Sequence, residues 1–425
     1  MNKLKYTLLL VFTIVSGVLF SQSSTNSPYS RFGLGDLNGS ISSQQSALGG
    51  NSVVFHDENS INTNNPATFS VLKPKSFLLS TAFTSKVTNF STTNLSQNES
   101  STSFSHMAIA FPVNKYLFVS SGLLPFSNVG YQIDYSETED WLEDTISISS
   151  SGNGGISKYY FGTSVKLHKS LSVGANLNYH FGGLSRIRTA DFNNSTIFNV
   201  NSVDRTNVTG VSFETGLLFN TEFSDNKKFS FGLTYQDNTT LNAKRTLLGT
   251  TFEYLSSSLI VKDTSEYSTG EGELVLPSKL STGLMYYSDK ILFVTNYASQ
   301  NWSDYQLSFG NEIEEDYLDN SSSISAGLQI TPDFNSVTKY WKRVNYRIGG
   351  RYDKTYLNIN ENQLTEKSVT FGLGLPVRRS NTFYNIALEL GESGTIDDNL
   401  IKEQFARFTF GVTFKGIWFV KRKYD

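Results

Sequence analysis

The sequence is dominated by stretches in which hydrophobic and polar residues alternate. From 171 to 182 the chain reads L-S-V-G-A-N-L-N-Y-H-F-G, with an apolar side chain at every odd position and Ser, Gly, Asn or His at every even one. Successive side chains of a β-strand point to opposite sides, so this stretch predicts a strand with one apolar and one polar face. The same period returns at 369–377, 384–390 and 408–414. Repeated strands of about ten residues with this pattern are typical of membrane β-barrels, which are apolar outside and polar inside.

The alternation predicts an all-β, fourteen-stranded antiparallel transmembrane barrel over residues 75–425, with a short C-terminal extension. The predicted strands are 75–89, 103–113, 116–130, 156–167, 171–188, 203–223, 229–245, 277–287, 291–309, 323–330, 343–358, 367–377, 383–391 and 403–414. Tight turns, such as 114–115 and 168–169, alternate with long connections at 131–155, 189–202, 246–276 and 310–322. In outer-membrane barrels the short turns face the periplasm and the long loops face outwards.

Charged residues follow the same division between the two ends of the barrel. The predicted periplasmic turns contain basic residues, at Lys115, Lys169, Lys227, Lys228, Lys290, Lys342, Arg343, Arg378 and Arg379. The predicted outer loops contain acidic residues, at Glu137, Glu139, Asp140, Glu143, Asp144, Glu312, Glu314, Glu315, Asp316 and Asp319. The second acidic loop lacks the spacing and glycine of a dedicated calcium loop, which favours a solvated acidic surface.

The first 21 residues have the pattern of a cleavable secretory signal peptide. Lys3 and Lys5 precede an apolar stretch at 8–20, and small and polar residues follow from Ser21. No other stretch approaches the ~20 apolar residues of a membrane helix. A membrane protein made from the mature chain must therefore be a barrel, which predicts the outer membrane of a Gram-negative cell as its location.

Residues 22–74 differ from the predicted strands because they are rich in Ser, Asn and Gly. One interpretation is a disordered linker, and the other is an ordered hatch, or plug, inside the barrel lumen. Aromatic and aliphatic side chains such as Tyr29, Leu34, Phe55 and Phe69 are spread through this stretch. Disordered segments usually lack such residues, so their presence favours the plug.

Composition narrows the function classes. The chain of 425 residues has a net charge of -3 and 14% aromatic residues. The charge argues against a nucleic-acid partner, whereas the aromatic content fits the girdles of a membrane barrel. The chain contains no cysteine, which excludes disulfides and thiolate metal sites. Outer-membrane lipid and lipopolysaccharide are the expected surroundings, with a hydrophobic small molecule or other proteins as candidate partners.

Catalytic motifs are not evident in the sequence. The four histidines are His56, His106, His168 and His180. A nucleophile needs a base within hydrogen-bond reach and a group that orients the base, and no spacing here supplies both. We therefore expect no enzyme activity, no metal site and no cofactor.

The strand periodicity assigns a group of ionisable residues to the inward face. These residues are Lys166, His180, Glu214, Arg347, Arg351, Asp353, Glu389 and Arg407. Arg or Lys facing lipid near the bilayer midplane would cost ~2 to 4 kcal/mol, which favours the lumen. Inside it, these groups are expected to pair with one another and with the plug, and direct contact with a ligand is the alternative.

Several short motifs resemble the FadL/TodX family of outer-membrane transporters for hydrophobic compounds. The resemblance rests on Asn65-Pro66-Ala67 at the end of the plug, on Leu124-Pro125-Phe126 in the third strand and on the count of fourteen strands. Further motifs resemble the Bacteroidota branch of this family, namely S-P-Y-S-R-F-G-L-G at 27–35, Q-N-W-S-D-Y at 300–305, Y-W-K-R-V-N-Y-R at 340–347, F-G-L-G-L-P at 371–376 and W-F-V-K-R-K-Y-D at 418–425.

The resemblance implies a barrel closed by an N-terminal hatch, with a lateral exit where the third strand kinks inward. Proline cannot donate to a sheet ladder, so Pro125 marks either that break or a position at the rim where pairing has ended. Fatty-acid transporters of this family capture the ligand in an outer hydrophobic groove, and the resemblance would place that groove on an apolar patch. The alternative is that the patch is an extension of the hairpin above the membrane. That patch comprises Leu247, Leu248, Phe252, Tyr254, Leu255, Leu259 and Ile260.

Two functions from different classes follow. The first is passive uptake of a hydrophobic compound, such as a long-chain fatty acid or an aromatic. The second is a non-transport role as a structural or accessory subunit of an outer-membrane assembly or secretion complex. A transporter requires an unbroken apolar path from the patch at 247–260 down to the plug.

Overall fold

The computed structural model describes residues 24–418 except 40–41, 51, 140–143, 193–196, 225–226, 256–257, 311, 315–317, 379 and 381. The predicted signal peptide, residues 419–425, Arg379 and part of both acidic loops, including Asp140, Glu143, Glu315 and Asp316, lie outside this description. None of the described helices is long and apolar enough to cross a membrane. They are α1 (Ser43–Ser46) and the 3-10 turns Pro28–Arg31, Pro66–Val71, Trp302–Asp304, Tyr340–Arg343 and Asp397–Asn399.

The described strands form one antiparallel sheet that closes on itself. They are β1 (Asp36–Leu37), β2 (Ser76–Ser91), β3 (Ser96–Pro112), β4 (Leu117–Glu139), β5 (Asp144–Lys166), β6 (Leu171–Phe192), β7 (Asn199–Ser224), β8 (Lys227–Gln236), β9 (Thr239–Leu255), β10 (Ser258–Leu276), β11 (Lys279–Tyr287), β12 (Ile291–Gln300), β13 (Gln306–Phe309), β14 (Glu312–Glu314), β15 (Ser321–Ile330), β16 (Asn345–Ile359), β17 (Asn362–Pro376), β18 (Phe383–Ser393) and β19 (Lys402–Ile417). β19 pairs with β2 from Ile417 opposite Ser76 to Lys402 opposite Ser91, which closes the barrel.

The wall contains fourteen strands, as the alternation predicted. Four passages through the wall are interrupted, so that β8 continues into β9, β10 into β11, β12 into β13 and β14 into β15. The first interruption falls at Asp237-Asn238, between β8 and β9, and the second falls at Pro277-Ser278, between β10 and β11. Proline cannot donate to the ladder, so pairing breaks at Pro277.

The side-chain faces follow the predicted parity. On β6, Leu177 and Tyr179 are 42% and 47% exposed, whereas Asn176 and Asn178 are buried. Phe213, Phe371 and Phe410 likewise point outwards and are exposed. An apolar band faces the lipid, and the small and polar side chains face inwards.

The outer ends of the barrel depart from the prediction. The stretches 131–155, 189–202 and 246–276, expected as loops, are largely paired and lengthen the hairpins β4–β5, β6–β7 and β9–β10. These stretches are rich in Ser, Thr, Asn and Gly because both of their faces are outside the membrane. Alternating apolar residues continue only briefly into these stretches, as at Tyr131-Gln132-Ile133 and Ile146-Ser147-Ile148, and polar or charged residues then interrupt them. The sequence therefore did not reveal the full length of these hairpins.

The apolar patch at 247–260 belongs to one of these hairpins. Leu248 pairs with Tyr267 and Phe252 pairs with Val261 in the β9–β10 ladder. Phe252 is buried, whereas Tyr254 and Leu259 are 56% and 54% exposed. The patch is therefore a hairpin extension, the alternative left open above, and none of its residues lines the lumen cavity described below.

The orientation of β6 generates a test of the membrane position. We expect Leu177→Arg to destabilise the folded barrel by about 2 to 4 kcal/mol, because it places a charge against lipid near the midplane. The same change at Tyr254, near the tip of the outer hairpin, should cost little. Chemical unfolding in lipid vesicles measures both. Equal losses would contradict the proposed height of β6 in the bilayer.

Candidate functional site: the barrel lumen

Residues 24–72, called the inner segment below, lie against the inward faces of the wall strands. The contact depends on glycines that face inwards. A Cβ at Gly216 would lie 2.1 Å from Asn65 Oδ1, and one at Gly327 would lie 2.5 Å from the Leu48 carbonyl oxygen. Any larger side chain would displace the inner segment, so the glycines allow its backbone to approach the wall.

The tripeptide Asn65-Pro66-Ala67 begins one of the 3-10 turns. The Asn65 side chain accepts a hydrogen bond from the Ala67 backbone N–H at 3.0 Å. Its amide donates to the carbonyl oxygen of Val53 at 2.7 Å and to that of Leu217 on β7 at 3.1 Å. Proline fits the first turn because its missing N–H would have no partner there. The tripeptide thereby joins two parts of the inner segment to the wall.

Apolar clusters fill the lumen at both ends. At the outer end, Tyr29 and Leu34 of the inner segment pack with Val129, Trp302 and Tyr356. The rings of Trp302 and Tyr356 stack with centroids 4.4 Å apart. Towards the periplasm, two clusters combine inner-segment and wall residues, among them Phe55, Phe69, Ile61, Leu48, Val54, Leu72, Leu78, Leu218, Leu292 and Val294.

A cavity of about 390 Å³ lies between these apolar layers. Its lining includes six acidic and six basic side chains: Asp36, Glu214, Asp353, Glu366, Glu389, Glu403, Lys86, Lys158, Lys279, Arg351, Lys354 and Arg407. The two signs are balanced, so the cavity is polar without a net charge of its own.

An ion-pair network crosses the cavity wall from β16 to β19. Arg351 Nε lies 2.6 Å from Asp353 Oδ2, and its Nη2 lies 3.0 Å from Glu389 Oε1. Arg351 also pairs with Glu366. Arg407 Nη1 donates to the other Glu389 oxygen at 2.7 Å. Because Arg351 and Glu389 are both buried, each depends on the other for compensation of its charge.

The inner segment reaches the edge of this network. Ser27 Oγ donates to Glu403 Oε1 at 2.5 Å, and Thr25 donates to Asp36. Lys86 Nζ lies 3.7 Å from Glu403 and 4.7 Å from the centre of the Phe405 ring. The charged wall therefore contacts the inner segment through the Ser27 hydroxyl group, whereas the bond between Thr25 and Asp36 lies within the inner segment.

The inward residues named from the sequence divide into two sets. Glu214, Arg351, Asp353, Glu389 and Arg407 line the cavity, whereas Lys166, His180 and Arg347 do not. His180 Nε2 lies 2.8 Å from Ser212 Oγ, and its ring packs edge-on against Phe126 at 5.0 Å. Arg347 donates to Gln329 at 2.7 Å and to Asn385 at 3.0 Å. Lys166 lies beside a periplasmic turn, where its backbone N–H donates to the carbonyl oxygen of Tyr116.

Some lining residues were missed by the sequence analysis. Three of them occupy positions that alternate in step with other inward residues of their strands, namely Lys86, Glu366 and Glu403. The two-residue periodicity would therefore have identified them as inward. Asp36 had no comparable signal, because the inner segment has no strand periodicity. Within the described residues, no group of three or more His, Asp or Glu side chains is arranged to hold a metal ion.

The wall opens beside Pro125. The ladder between β3 and β4 ends at Met107 opposite Leu123. Beyond Pro125, β4 keeps its pairing with β5 across a register shift and pairs on its other side with β1, where Asp36 lies opposite Asn128. Leu124 is buried, and Pro125 and Phe126 line the cavity together with Phe104 of β3. Pro125 thus lies within β4 at the break in pairing, and not at the rim.

The ion-pair network generates a stability test. Arg351→Ala leaves Asp353, Glu366 and Glu389 without their shared cation, so we expect a loss of about 3 to 5 kcal/mol in unfolding free energy. We also expect increased entry of large antibiotics, because the helix Ser43–Ser46 of the inner segment packs against strands β17 to β19, which the network joins. Lys244→Ala, at an exposed position of β9, is the matched control. Unchanged unfolding and unchanged antibiotic sensitivity in the Arg351 variant would contradict the role given to the network.

Solved outer-membrane transporters share this fold at low sequence identity. The toluene transporter TodX of Pseudomonas putida is 14% identical with a TM-score of 0.62, covering 91% of this chain and 100% of that chain. The toluene transporter TbuX of Ralstonia pickettii is 12% identical with a TM-score of 0.55, covering 93% and 99%. A FadL homologue of Pseudomonas aeruginosa is 10% identical with a TM-score of 0.58, covering 91% and 100%. These likenesses establish the fold alone.

Family membership comes from a different comparison. No curated protein matches the sequence. The model of the BamG family matches residues 3–425, which is nearly the entire chain. BamG is a family distinct from FadL/TodX, and the likeness to the FadL/TodX transporters is one of fold. The chain belongs to the BamG family.

Proposed function

We propose that this protein is a non-transport structural or accessory subunit of an outer-membrane assembly or secretion complex. The observation that carries this proposal is the filled lumen. The inner segment packs on inward glycines, and apolar clusters occupy both ends of the barrel. A barrel filled in this way offers its outside surfaces, rather than its interior, for function.

The polarity of the lumen also supports this function. A hydrophobic solute that passed the outer cluster would enter a cavity lined by twelve ionisable side chains, the sum of six acidic and six basic. Moving apolar surface into a charged cavity gains little, and separating the ion pairs would leave buried charges unpaired at a high cost. A transporter would require an apolar path from 247–260 to the plug, and none of the described residues in that range lines the cavity.

The surfaces suited to partner proteins lie at the two ends of the barrel. On the outer side, paired hairpins extend beyond the apolar band, and their tips include Glu137 and the ion pair of Glu253 with Lys262. On the periplasmic side, the turns carry basic side chains such as Lys115, Lys169 and Lys290. Opposite charges at the two ends give partners of different composition separate docking surfaces.

Passive transport of a hydrophobic compound is the second candidate. Two observations favour it: the fold shared with hydrophobic-compound transporters, and the break beside Pro125 through which the cavity reaches the wall. In this mechanism a long-chain fatty acid or aromatic compound would leave sideways between β3 and β4.

Purification of the native protein in mild detergent tests the choice between the two functions. We expect other outer-membrane proteins at fixed stoichiometry and no bound hydrophobic compound in a lipid analysis of the same sample. Detergent-washed protein that remains alone and retains a stoichiometric apolar ligand would overturn the proposal in favour of transport.

Pro125→Val provides a second test, because valine supplies the backbone donor that proline lacks. If the chain transports, the variant should extend the β3–β4 ladder and abolish uptake of hydrophobic substrates while the barrel stays folded. Under our proposal neither chain takes up such substrates, and co-purifying proteins are unaffected. Uptake assays with both chains, alongside heat-modifiable gel mobility, distinguish these results. Uptake by the unaltered chain that disappears in the variant would establish lateral exit.

A further inference from the structure

The outer half of β3 has a strand edge without a neighbour in the wall. Residues 107–112 pair with β4, but residues 96–104 pair only with β2 among the described parts of the chain. β4 continues to Glu139 on the opposite side of the opening, paired with β5. A seam therefore runs outwards from Met107 between two strands that are adjacent in the wall.

Hydrogen bonding shows which groups face this seam. The Ser100 carbonyl oxygen accepts a bond from the Asn26 side chain at 3.0 Å, so it points away from β2. Backbone groups alternate in an antiparallel strand, which places the N–H and C=O of Asn98 and Thr102 on the same side. Such an edge is a template for another strand.

The sequence of this edge lacks the usual protection against pairing. Natural edges are blocked by lysine, proline, bulges or a covering segment. Residues 96–104 read S-Q-N-E-S-S-T-S-F and contain neither lysine nor proline. The register shift in the β2–β3 ladder falls later, near His106. The only charge on this edge is Glu99.

The edge lies at the outer end of the barrel. The exposed apolar side chains of β3 begin at Met107, whereas Ser96, Gln97, Asn98 and Thr102 are exposed polar residues. A partner would therefore reach the edge from outside the membrane. Across the seam, Asp134 and Glu137 of β4 are exposed, so that with Glu99 of β3 both strands that flank the opening carry carboxylates.

We propose that residues 96–104 of β3 bind an extended, basic segment of another outer-membrane protein by strand addition. The backbone groups of Asn98 and Thr102 that lack a ladder partner across the seam require an extended chain, and the small polar side chains of the edge allow close approach. The acidic residues around the seam select a segment containing Lys or Arg. This inference rests on the proposed function as a subunit of a complex and assigns one docking surface to it.

Site-specific photo-crosslinking in cells tests the proposal. A photoreactive amino acid at Asn98 of the full-length protein should give an adduct with one partner protein. Mass spectrometry should map the adduct to a short segment with an excess of Lys and Arg. The same probe at Lys115, in a periplasmic turn, is the control position and should not give this adduct.

A matched pair of variants then tests the backbone mechanism. Thr102→Pro removes an N–H that faces the seam while leaving the bonds to β2, and Thr102→Ala keeps that N–H. We expect the adduct at Asn98 to fall at least tenfold in Thr102→Pro and to stay unchanged in Thr102→Ala. Ser100→Pro replaces Thr102→Pro if that variant lacks the heat-modifiable mobility of a folded barrel.

Several results would overturn the proposal: no adduct, an adduct only with lipopolysaccharide or a second copy of this chain, an acidic or neutral target segment, or an adduct that survives the proline. If stoichiometric partners co-purify while the Asn98 adduct is absent, the subunit function stands and strand addition at β3 fails. If neither is found, both proposals fail.

Discussion

Close contact between the inner segment and inward glycines is the interaction on which the rest of the structure depends. A methyl group at Gly216 or Gly327 would overlap atoms of Asn65 or Leu48, and one at Gly411 would lie 2.2 Å from Ser43 Oγ. The wall and the inner segment therefore specify each other's shape. Since protein atoms fill much of the lumen to this closeness, the space that remains is a residual polar cavity.

The residual cavity explains why so many charges are tolerated inside the barrel. Arg351 and Glu389 are largely inaccessible to water, yet Arg351 on β16 contacts Glu366 on β17 and Glu389 on β18, and Glu389 contacts Arg407 on β19. Their register places them together, because Glu389 lies directly opposite Arg407 in the β18–β19 ladder. Such pairs add little net stability compared with apolar packing, but removing one member is costly. The network therefore fixes one arrangement of strands β16 to β19.

The wall could be predicted from the sequence because lipid imposes a strict two-residue period on it. Leu177 and Asn178 reveal their faces without any knowledge of their neighbours. Outside the membrane this constraint disappears, and the polar hairpin containing residues 144–155 was taken for a loop although it is paired. In the lumen, parity identified Arg351, Asp353, Glu389 and Arg407 as inward, but it could not show which of them pair with one another. The hydrogen bond from Thr25 to Asp36 depends on the fold of the inner segment, whose sequence shows no strand periodicity.

The break at Pro125 shows how one local feature can serve opposite functions. Proline ends the β3–β4 ladder, and β4 then pairs with β1 of the inner segment. The inner segment gains two residues of backbone pairing from this exchange, whereas β3 loses its neighbour. An apolar lining would make the resulting opening an exit for a hydrophobic solute. Here the lining includes Lys86, Glu403 and the serines of β3, so the opening favours hydrogen-bonding and charged partners. The polarity of the surrounding residues, rather than the break itself, decides what the opening can bind.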